Sequence, residues 1–152
     1  MNTITLQEIT AASVRDIVAL TVTPEQARFV APNAVSLAQA LFHPEAWYRA
    51  VVADATPVGF VMLEDPSQLA ELPPKPYLAL WRFMIDARFQ RQGYGRCALE
   101  LIVDHACRKP GIAELLTSCV PGPGSPEAFY RRYGFAPTGE IDDGETVLRL
   151  PL

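Results

Sequence analysis

The spacing of hydrophobic residues along the chain predicts strands and helices in mixed order. Runs rich in β-branched and aromatic residues predict strands over residues 3–9, 47–53, 58–63, 77–86 and 113–120, and a closing hairpin over 135–141 and 146–150. An i, i+3, i+4, i+7 spacing after the run 77–86 predicts a helix with one buried face, formed by Leu99, Ile102, Val103 and Ala106. No repeat or linker interrupts this order, so we expect a single mixed α/β domain over residues 1–152.

Capping signals ahead of the long strands predict two or three short helices there. Ser13 is expected to cap the first of them. Thr23 precedes a second start signal, with Pro24 just inside the helix and Gln26 at the capping-box position. Asn33 is expected to cap a further helix with an apolar stripe.

The composition excludes several classes of function. The chain has 152 residues, of which 49% are hydrophobic, and this is enough for one domain with a sizeable core. The net charge of −4 argues against a nucleic-acid or membrane-surface binder, and no apolar run approaches the ~20 residues that span a bilayer. No secretory signal is recognisable, so the cytoplasm is the expected location. Three cysteines without C-x-x-C spacing predict structural thiols rather than disulfides or a metal site.

The segment after the strand at 77–86 is suited to bind an anion. Gly93 and Gly95 allow the backbone to approach a ligand closely. The helix that follows presents unpaired N–H groups and the positive end of its dipole. Three arginines surround this turn: Arg88, Arg91 and Arg96. Together these features predict a loop that binds a pyrophosphate, whereas the plain structural alternative is a strand-to-helix turn with solvated arginines.

Two other phosphate-binding patterns fit this loop poorly. Residues 93–98 match the dinucleotide pattern G-x-G-x-x-A, but the preceding strands predict a meander where that pattern needs a βαβ unit. The pattern G-x-x-x-x-G-K-[ST] is absent. A dinucleotide-dependent oxidoreductase is therefore the weakest of the alternatives.

Three motifs resemble the GNAT superfamily of N-acetyltransferases. Gln90-Arg-Gln-Gly93-Tyr-Gly95 resembles the Q/R-x-x-G-x-G/A signature, and Phe129-Tyr-Arg-Arg-Tyr-Gly-Phe135 is similar to the family's F-Y-x-x-x-G-F segment. Residues 80–86, which lead into the glycine loop, resemble the spermine/spermidine acetyltransferase-like branch, and so do residues 23–38. The motifs occur in the family's order over nearly the whole chain.

The resemblance implies a fold, a cofactor and a binding site. The fold would be the acyl-CoA N-acyltransferase fold, an α/β (α+β) architecture with a mixed, mostly antiparallel central sheet flanked by helices. Acetyl-coenzyme A would be the cofactor, with its pyrophosphate in the glycine loop and its pantetheine arm along the preceding strand. The implied cofactor-binding residues are Phe83, Met84, Ile85, Gln90, Arg91, Gln92, Gly93, Tyr94, Gly95, Arg96 and Ser125. Ser125 is also placed to cap a short helix.

Transfer of an acetyl group from a thioester to an amine needs a proton donor for the leaving thiolate. The resemblance assigns this role to Tyr130, and Tyr133 is expected to pack. No glutamate lies on the strand before the glycine loop, where many relatives carry the general base. Glu64 and Asp65 are the candidates to hold or deprotonate the amine, unless they are only solvated strand-end carboxylates.

The predicted function is N-acetylation of a primary amine, expected to be a small polyamine-like acceptor, by direct attack in a ternary complex with acetyl-coenzyme A. One alternative is a non-catalytic acyl-coenzyme A sensor or regulatory module, which the missing strand glutamate favours. Another is an acetyltransferase for a peptide, a protein or an antibiotic. A homodimer is possible, since dimers are common in the family.

Overall fold

The computed structural model of the protein describes residues 2–152. Within this range, seven strands form one sheet in the order β1-β2-β3-β4-β5-β7-β6. Single 3-10 turns lie at Pro66–Gln68 and Ala87–Phe89. In chain order the elements are β1 (Ile4–Gln7), α1 (Val14–Ala19), α2 (Asn33–Ala40), β2 (Ala46–Ala53), β3 (Thr56–Glu64), β4 (Leu78–Ile85), α3 (Tyr94–Cys107), β5 (Glu114–Cys119), α4 (Glu127–Tyr133), β6 (Ala136–Asp142) and β7 (Glu145–Pro151).

The predicted mixed, mostly antiparallel sheet is confirmed. Neighbouring strands in the described range run antiparallel except for β4 and β5, which are parallel because α3 connects them. Their pairing covers only residues 78–80 of β4 and 115–117 of β5. Beyond that point the two strands separate, and the edge of β4 that faces β5 lacks a partner strand in the described part of the chain.

A β-bulge in β4 lies at the place where the two strands separate. Met62 of β3 pairs with Arg82, but the next residue, Leu63, pairs with Leu80, so Trp81 is the additional residue. A bulge bends its strand and changes the direction of neighbouring side chains. This bend helps to open the sheet between β4 and β5.

Helices cover both faces of the sheet. α3 and α4 pack on one face, where the buried residues include Leu80, Leu99, Ile102, Leu115, Tyr130, Phe135 and Leu148. α1 and α2 cover the opposite face, where the buried residues include Ile17, Leu20, Phe60, Met62 and Met84. The helical stripe predicted in α3 is confirmed, since Leu99, Ile102 and Ala106 are fully buried.

Two expectations about the early helices are wrong. No α-helix follows Thr23: residues 24–30 form turns, although the Thr23 N–H donates to Gln26 Oε1 at 3.3 Å as a capping box requires. Contacts with distant parts of the chain, described below, hold this segment in its turns. Asn33 is not a cap either, because Pro32 occupies that position and the buried Asn33 amide donates to the Ile17 carbonyl at 2.8 Å.

A buried ion pair anchors the proline-rich loop that follows β3. The Asp65 carboxylate is 2.8 Å from Lys109 Nζ just beyond α3, and it also accepts from the Ser67 backbone N–H at 3.1 Å. Burial alone would raise the pKa of Asp65, but the interactions with Lys109 and Ser67 outweigh it and lower the pKa below its usual value. Nearby, the His105 ring stacks on Trp47 with centroids 4.2 Å apart. Asp65 and His105 are therefore structural residues.

We expect Lys109→Met to destabilise the protein by about 2 kcal/mol at neutral pH, because the variant leaves the Asp65 carboxylate buried without its countercharge. A lowered pKa contributes stability that is present at neutral pH and is lost as the pH falls below ~4. The difference in Tm between wild type and variant should therefore narrow in acid. Thermal unfolding at pH 7 and at about pH 3 measures this difference in Tm.

The matched control is Lys75→Met, which removes an exposed lysine from the proline-rich loop. It should leave the Tm unchanged at both pH values. A Lys109→Met variant as stable as the wild type at pH 7 would contradict the structural role of the ion pair.

None of the helices described in residues 2–152 has the length and apolar character needed to span a bilayer.

Candidate functional site

A cleft of about 1000 Å³ opens where β4 and β5 separate. The glycine loop before α3 lines one end, and the turns that precede α2 line a wall that is tied to this loop by Gln26 and Gln90. The floor is the free edge of β4, and Tyr130 of α4 lies in the wall. Lining residues come from the segments 22–32, 80–85, 89–96 and 117–132, and from Asp143 and Glu145 of the β6–β7 hairpin.

The glycine-loop end has the features of an anion site. Gly93 caps α3 with φ of +83°, and Arg91 also has a positive φ of +61°, so the loop turns sharply into the helix. The first N–H groups of α3 have no intrahelical acceptor and point toward this end. Arg91 and Arg96 line the cleft, and Arg96 Nε also lies 3.3 Å from Glu100 Oε1. These fixed donors and charges fit a pyrophosphate group.

The third arginine of the loop serves a different purpose. Arg88 Nε donates to Asp86 Oδ1 at 2.8 Å, and Arg88 is not among the lining residues. The buried Asp86 also accepts from the Arg88 N–H and, through Oδ2, from the Thr21 N–H, both at 2.9 Å. Burial raises the pKa of Asp86, but these hydrogen bonds outweigh that effect and hold the pKa below its usual value. Asp86 therefore positions the loop. This role was not expected from the sequence, although a lone carboxylate at the end of an apolar strand could have indicated it.

Gln90 stabilises the same loop through side-chain hydrogen bonds. Its amide donates to the Ile85 carbonyl at 2.9 Å and to Gln26 Oε1 at 2.8 Å, while Gln26 Nε2 donates back to Gln90 Oε1 at 3.1 Å. Both glutamines line the cleft. This reciprocal pair ties the early turns to the glycine loop and explains why residue 26 does not continue a helix.

Two of the predicted cofactor residues direct their side chains elsewhere. Gln92 is exposed and does not line the cleft. Tyr94 packs against the buried cluster that contains Val51 and Ala98, and its hydroxyl contacts the Asn2 side chain. These two residues can contribute only backbone groups to the anion end.

The free edge of β4 forms the middle of the cleft. Phe83, Met84 and Ile85, which the resemblance assigns to cofactor binding, line it. Unpaired backbone N–H and C=O groups on a sheet edge can bind an extended ligand as an added strand would. The Ile85 carbonyl is already occupied by Gln90, so the available groups lie between the bulge and Met84.

Tyr130 lies in the cleft wall opposite this edge. Its ring packs between Phe129 and Phe135, with both centroids 5.4 Å away, and only 5% of the residue is exposed. Burial, with a further contribution from Cys119, raises the pKa of Tyr130 well above its usual value, and Thr117 opposes the shift only in part. The phenol is therefore neutral at physiological pH and has a proton to donate.

Ser125 lines the cleft at the start of α4. Its hydroxyl accepts from the Glu127 N–H at 3.3 Å, so the predicted capping interaction forms, although Pro126 is the residue at the cap position. The Ser125 hydroxyl still has its own proton to donate to a ligand.

Neither carboxylate expected to hold the amine lies in the cleft. Glu64 is absent from the lining, and its carboxylate accepts from the Tyr77 hydroxyl at 2.6 Å at the far end of β3. Burial and this contact raise the pKa of Tyr77 to about 12, so the pair stays hydrogen-bonded. Asp65 is paired with Lys109. The carboxylates that line the cleft are instead Asp143 and Glu145, which lie between the two strands predicted for the closing hairpin and were not expected at the site.

Within residues 2–152, no group of three or more histidine, cysteine, aspartate or glutamate side chains is arranged to hold a metal ion.

A family model for the Acetyltransferase (GNAT) family matches residues 15–135, which is most of the chain. The chain belongs to the GNAT family. The match includes the glycine loop, α3, β5 and α4, and so covers the cofactor end of the cleft and its buried tyrosine. A comparison with curated protein sequences found no match.

Solved acetyltransferase structures share the fold of this GNAT chain at low sequence identity. The PaiA N-acetyltransferase from Thermoplasma acidophilum, in complex with coenzyme A, is 13% identical with a TM-score of 0.68, over 99% of each chain. A GNAT family acetyltransferase from Elizabethkingia anophelis with acetyl-CoA bound is 18% identical with a TM-score of 0.63, over 98% of each chain. An aminoglycoside acetyltransferase in complex with coenzyme A is 14% identical with a TM-score of 0.75, over 98% of this chain and 95% of that one.

The two loop glycines of this GNAT domain should respond differently to alanine. A Cβ on Gly95 would lie 3.7 Å from Ile85 and Phe129, inside the cleft, whereas a Cβ on Gly93 would meet nothing within 4 Å. We expect Gly95→Ala to weaken coenzyme A binding by about 10-fold without loss of stability, since alanine favours the helix. Gly93→Ala should instead lose about 1 kcal/mol of stability, because its positive φ strains alanine.

Calorimetric titration with coenzyme A and thermal unfolding of both variants measure these effects. Each variant is the control for the other. Unchanged coenzyme A binding by Gly95→Ala would contradict the placement of the anion site at this end of the cleft.

Proposed function

We propose that the protein is an acetyl-coenzyme A-dependent N-acetyltransferase that acts on a small primary amine. The observation that carries this proposal is the neutral, buried Tyr130 in the wall of a cleft that is also lined by the glycine loop and two of its arginines. Membership of the GNAT family supports the acyltransferase class and the cofactor. The arrangement of residues around the cleft supports the specific roles in cofactor binding and proton donation that follow.

The cleft fits coenzyme A along its whole length. The N–H groups at the start of α3, with Arg91 and Arg96, would hold the pyrophosphate, and the free edge of β4 would hold the pantetheine arm. When bound, acetyl-coenzyme A supplies a thioester whose acetyl group passes to the amine as the carbon–sulfur bond breaks. Backbone N–H groups near the bulge would stabilise negative charge on the acetyl oxygen.

Tyr130 would provide the proton for the leaving sulfur. The reacting ammonium group loses two protons: one goes to solvent, and the other is returned by way of Tyr130 to the thiol. The Tyr130 phenol is protonated at neutral pH, so it has a proton to donate as negative charge develops on the sulfur. No other tyrosine lines the cleft among the described residues.

Direct attack without an enzyme-bound acetyl group agrees with the cysteine chemistry. Cys119, next to the cleft wall, is buried, and burial with the nearby Glu127 raises the pKa of its thiol to about 11. Only the thiolate is a good nucleophile, so Cys119 is unreactive at neutral pH. The acetyl group would therefore pass directly to the amine in a ternary complex.

The acceptor class is a narrower proposal. A polyamine-like acceptor follows from the sequence resemblance, and Asp143 and Glu145 could face a second ammonium group. Arg82, which lines the same end of the cleft, counts against a polycation. The likeness to an aminoglycoside acetyltransferase extends to the fold alone, so an antibiotic or a peptide terminus remains a competing acceptor.

A non-catalytic sensor is the competing function from another class. The absence of Glu64 from the cleft favours it, because no carboxylate on β4 or at the end of β3 reaches the site. The presence of Tyr130 favours an enzyme. Thiol release from acetyl-coenzyme A across a panel of amines separates the two functions.

We expect Tyr130→Phe to reduce kcat by about 100-fold, because the variant keeps the buried ring but has no proton to donate. The KM for acetyl-coenzyme A should change less than about 2-fold. Tyr133→Phe is the matched control: it lies one turn later on the same helix, packs under Arg96 and does not line the cleft.

Turnover that collapses in Tyr130→Phe and persists in Tyr133→Phe would support the enzyme and its acid. Coenzyme A binding without thiol release by any amine, peptide or aminoglycoside would favour the sensor. Equal kcat values in wild type and Tyr130→Phe would show that Tyr130 is not the acid and only packs against its neighbours.

A further inference from the structure

Arg82 is a charged residue on an otherwise apolar strand, and its guanidinium is only partly satisfied. Nη1 donates to the Trp81 carbonyl at 3.3 Å and Nη2 to Gln39 Oε1 at 3.2 Å. Nε is buried and has no hydrogen-bond partner among the described residues. A guanidinium carries five N–H donors, so each terminal nitrogen retains one unused N–H.

No carboxylate neutralises this guanidinium directly. Within residues 2–152, none lies within 4.0 Å of its nitrogen atoms. Burial lowers the pKa of Arg82, and Glu145 opposes the shift from a longer distance. A half-buried cation with only neutral partners is unfavourable unless a ligand brings the missing anion. Arg82 lines the cleft, so such a ligand has access to it.

The Arg82 side chain is held in place rather than free to leave the cleft. Its guanidinium carbon lies 5.3 Å from the centroid of the Trp81 ring, whose edge contacts His43. Gln39 of α2 fixes the opposite side of the guanidinium. A guanidinium held by a ring, a carbonyl and an amide keeps its remaining N–H donors in a fixed place, which favours recognition of a planar carboxylate.

Arg82 and Glu145 share one face of the sheet, and Tyr130 lies on the other. Along β5, Thr117 and Cys119 point toward Tyr130, so Ser118 points to the opposite face. The Ser118 hydroxyl donates to Glu145 Oε2 at 3.2 Å, which places Glu145 on that opposite face. Gln39 of α2 marks the same face for Arg82. Arg82 and Glu145 therefore border the cleft on one face of the sheet. Tyr130, the proposed acid, borders it on the other face.

We propose that the acceptor is a small amine that also carries a carboxylate, as amino acids do, with Arg82 binding the carboxylate and Glu145 facing the ammonium group. This inference rests on the proposed acetyltransferase function and narrows its acceptor. A polyamine satisfies Glu145 and leaves Arg82 without its anion. An amino carboxylate satisfies both charges.

Matched pairs of amines that differ only by a carboxylate test the inference. Ornithine and putrescine form one pair, and lysine and cadaverine form the other. We expect the wild-type enzyme to prefer ornithine and lysine by about 10-fold to 100-fold in kcat/KM, which is the usual contribution of one hydrogen-bonded charge. Thiol release from acetyl-coenzyme A gives the rates, and mass spectrometry identifies the acetylated product.

Variants of Arg82 connect the preference to this side chain. Arg82→Gln should reduce the preference to within about 3-fold, by slowing only the carboxylate-bearing amines, with an unchanged KM for acetyl-coenzyme A. Arg82→Lys should retain part of the preference, because it keeps the charge and loses the planar donor pair. Arg49→Gln is the matched control: Arg49 also lies on a strand, over a tryptophan, and donates to the Tyr48 carbonyl, but it lies outside the cleft.

The outcomes separate this inference from the function on which it rests. Equal or faster acetylation of putrescine and cadaverine by the wild type would overturn the carboxylate proposal and leave the N-acetyltransferase in place. A preference that survives in Arg82→Gln would also overturn it. If Arg82→Gln does not fold, the proposal is tested by the preference of the wild type for carboxylate-bearing amines and by the change of that preference in Arg82→Lys. Acetylation of no amine, peptide or aminoglycoside would defeat the proposed function itself.

Discussion

The site of this protein depends on one feature of its sheet: β4 and β5 are paired for only three residues, Leu78 to Leu80 on β4. In a fully paired sheet, the backbone groups beyond Leu80 would bond to the next strand and no ligand could reach them. Separation of the strands leaves those groups free, and the bulge at Trp81 directs them into the gap. The cleft, its free edge and the access of Tyr130 to a ligand all follow from this separation.

Polar side chains, one buried and two half-buried, hold the glycine loop against a neighbouring wall of the cleft. Asp86 binds the backbone N–H groups of Thr21 and Arg88, and Gln90 pairs with Gln26. Both interactions join the glycine loop to the turns before α2. Since an unsatisfied buried carboxylate or amide is costly, each of these residues strongly favours a single loop geometry. The anion end is therefore formed in advance of any ligand.

The two faces of the sheet divide the work of the site. The residues that would bind the coenzyme and donate the proton belong to the glycine loop and α4, on the face of α3. The charges that would select an acceptor lie on the face of α1 and α2, where Arg82 and Glu145 border the cleft. Such a division allows the acceptor to change while the coenzyme site stays the same. It explains why a common fold at 13–18% identity says little about the acceptor.

Local patterns in the sequence were sufficient for the strands, for the glycine turn into α3, and for the motif that contains Tyr130, because each depends on neighbouring residues. The helix expected after Thr23 was wrong because Gln26 bonds to Gln90, which lies 64 residues away. Glu64 was assigned to the site from its position at a strand end, but only the tertiary structure shows that Tyr77 holds it outside the cleft. Likewise, only the order of the strands places Glu145 of β7 near Arg82 of β4. Sequence periodicity carries no information about such long-range neighbours, so only the tertiary structure shows which charges border the cleft together.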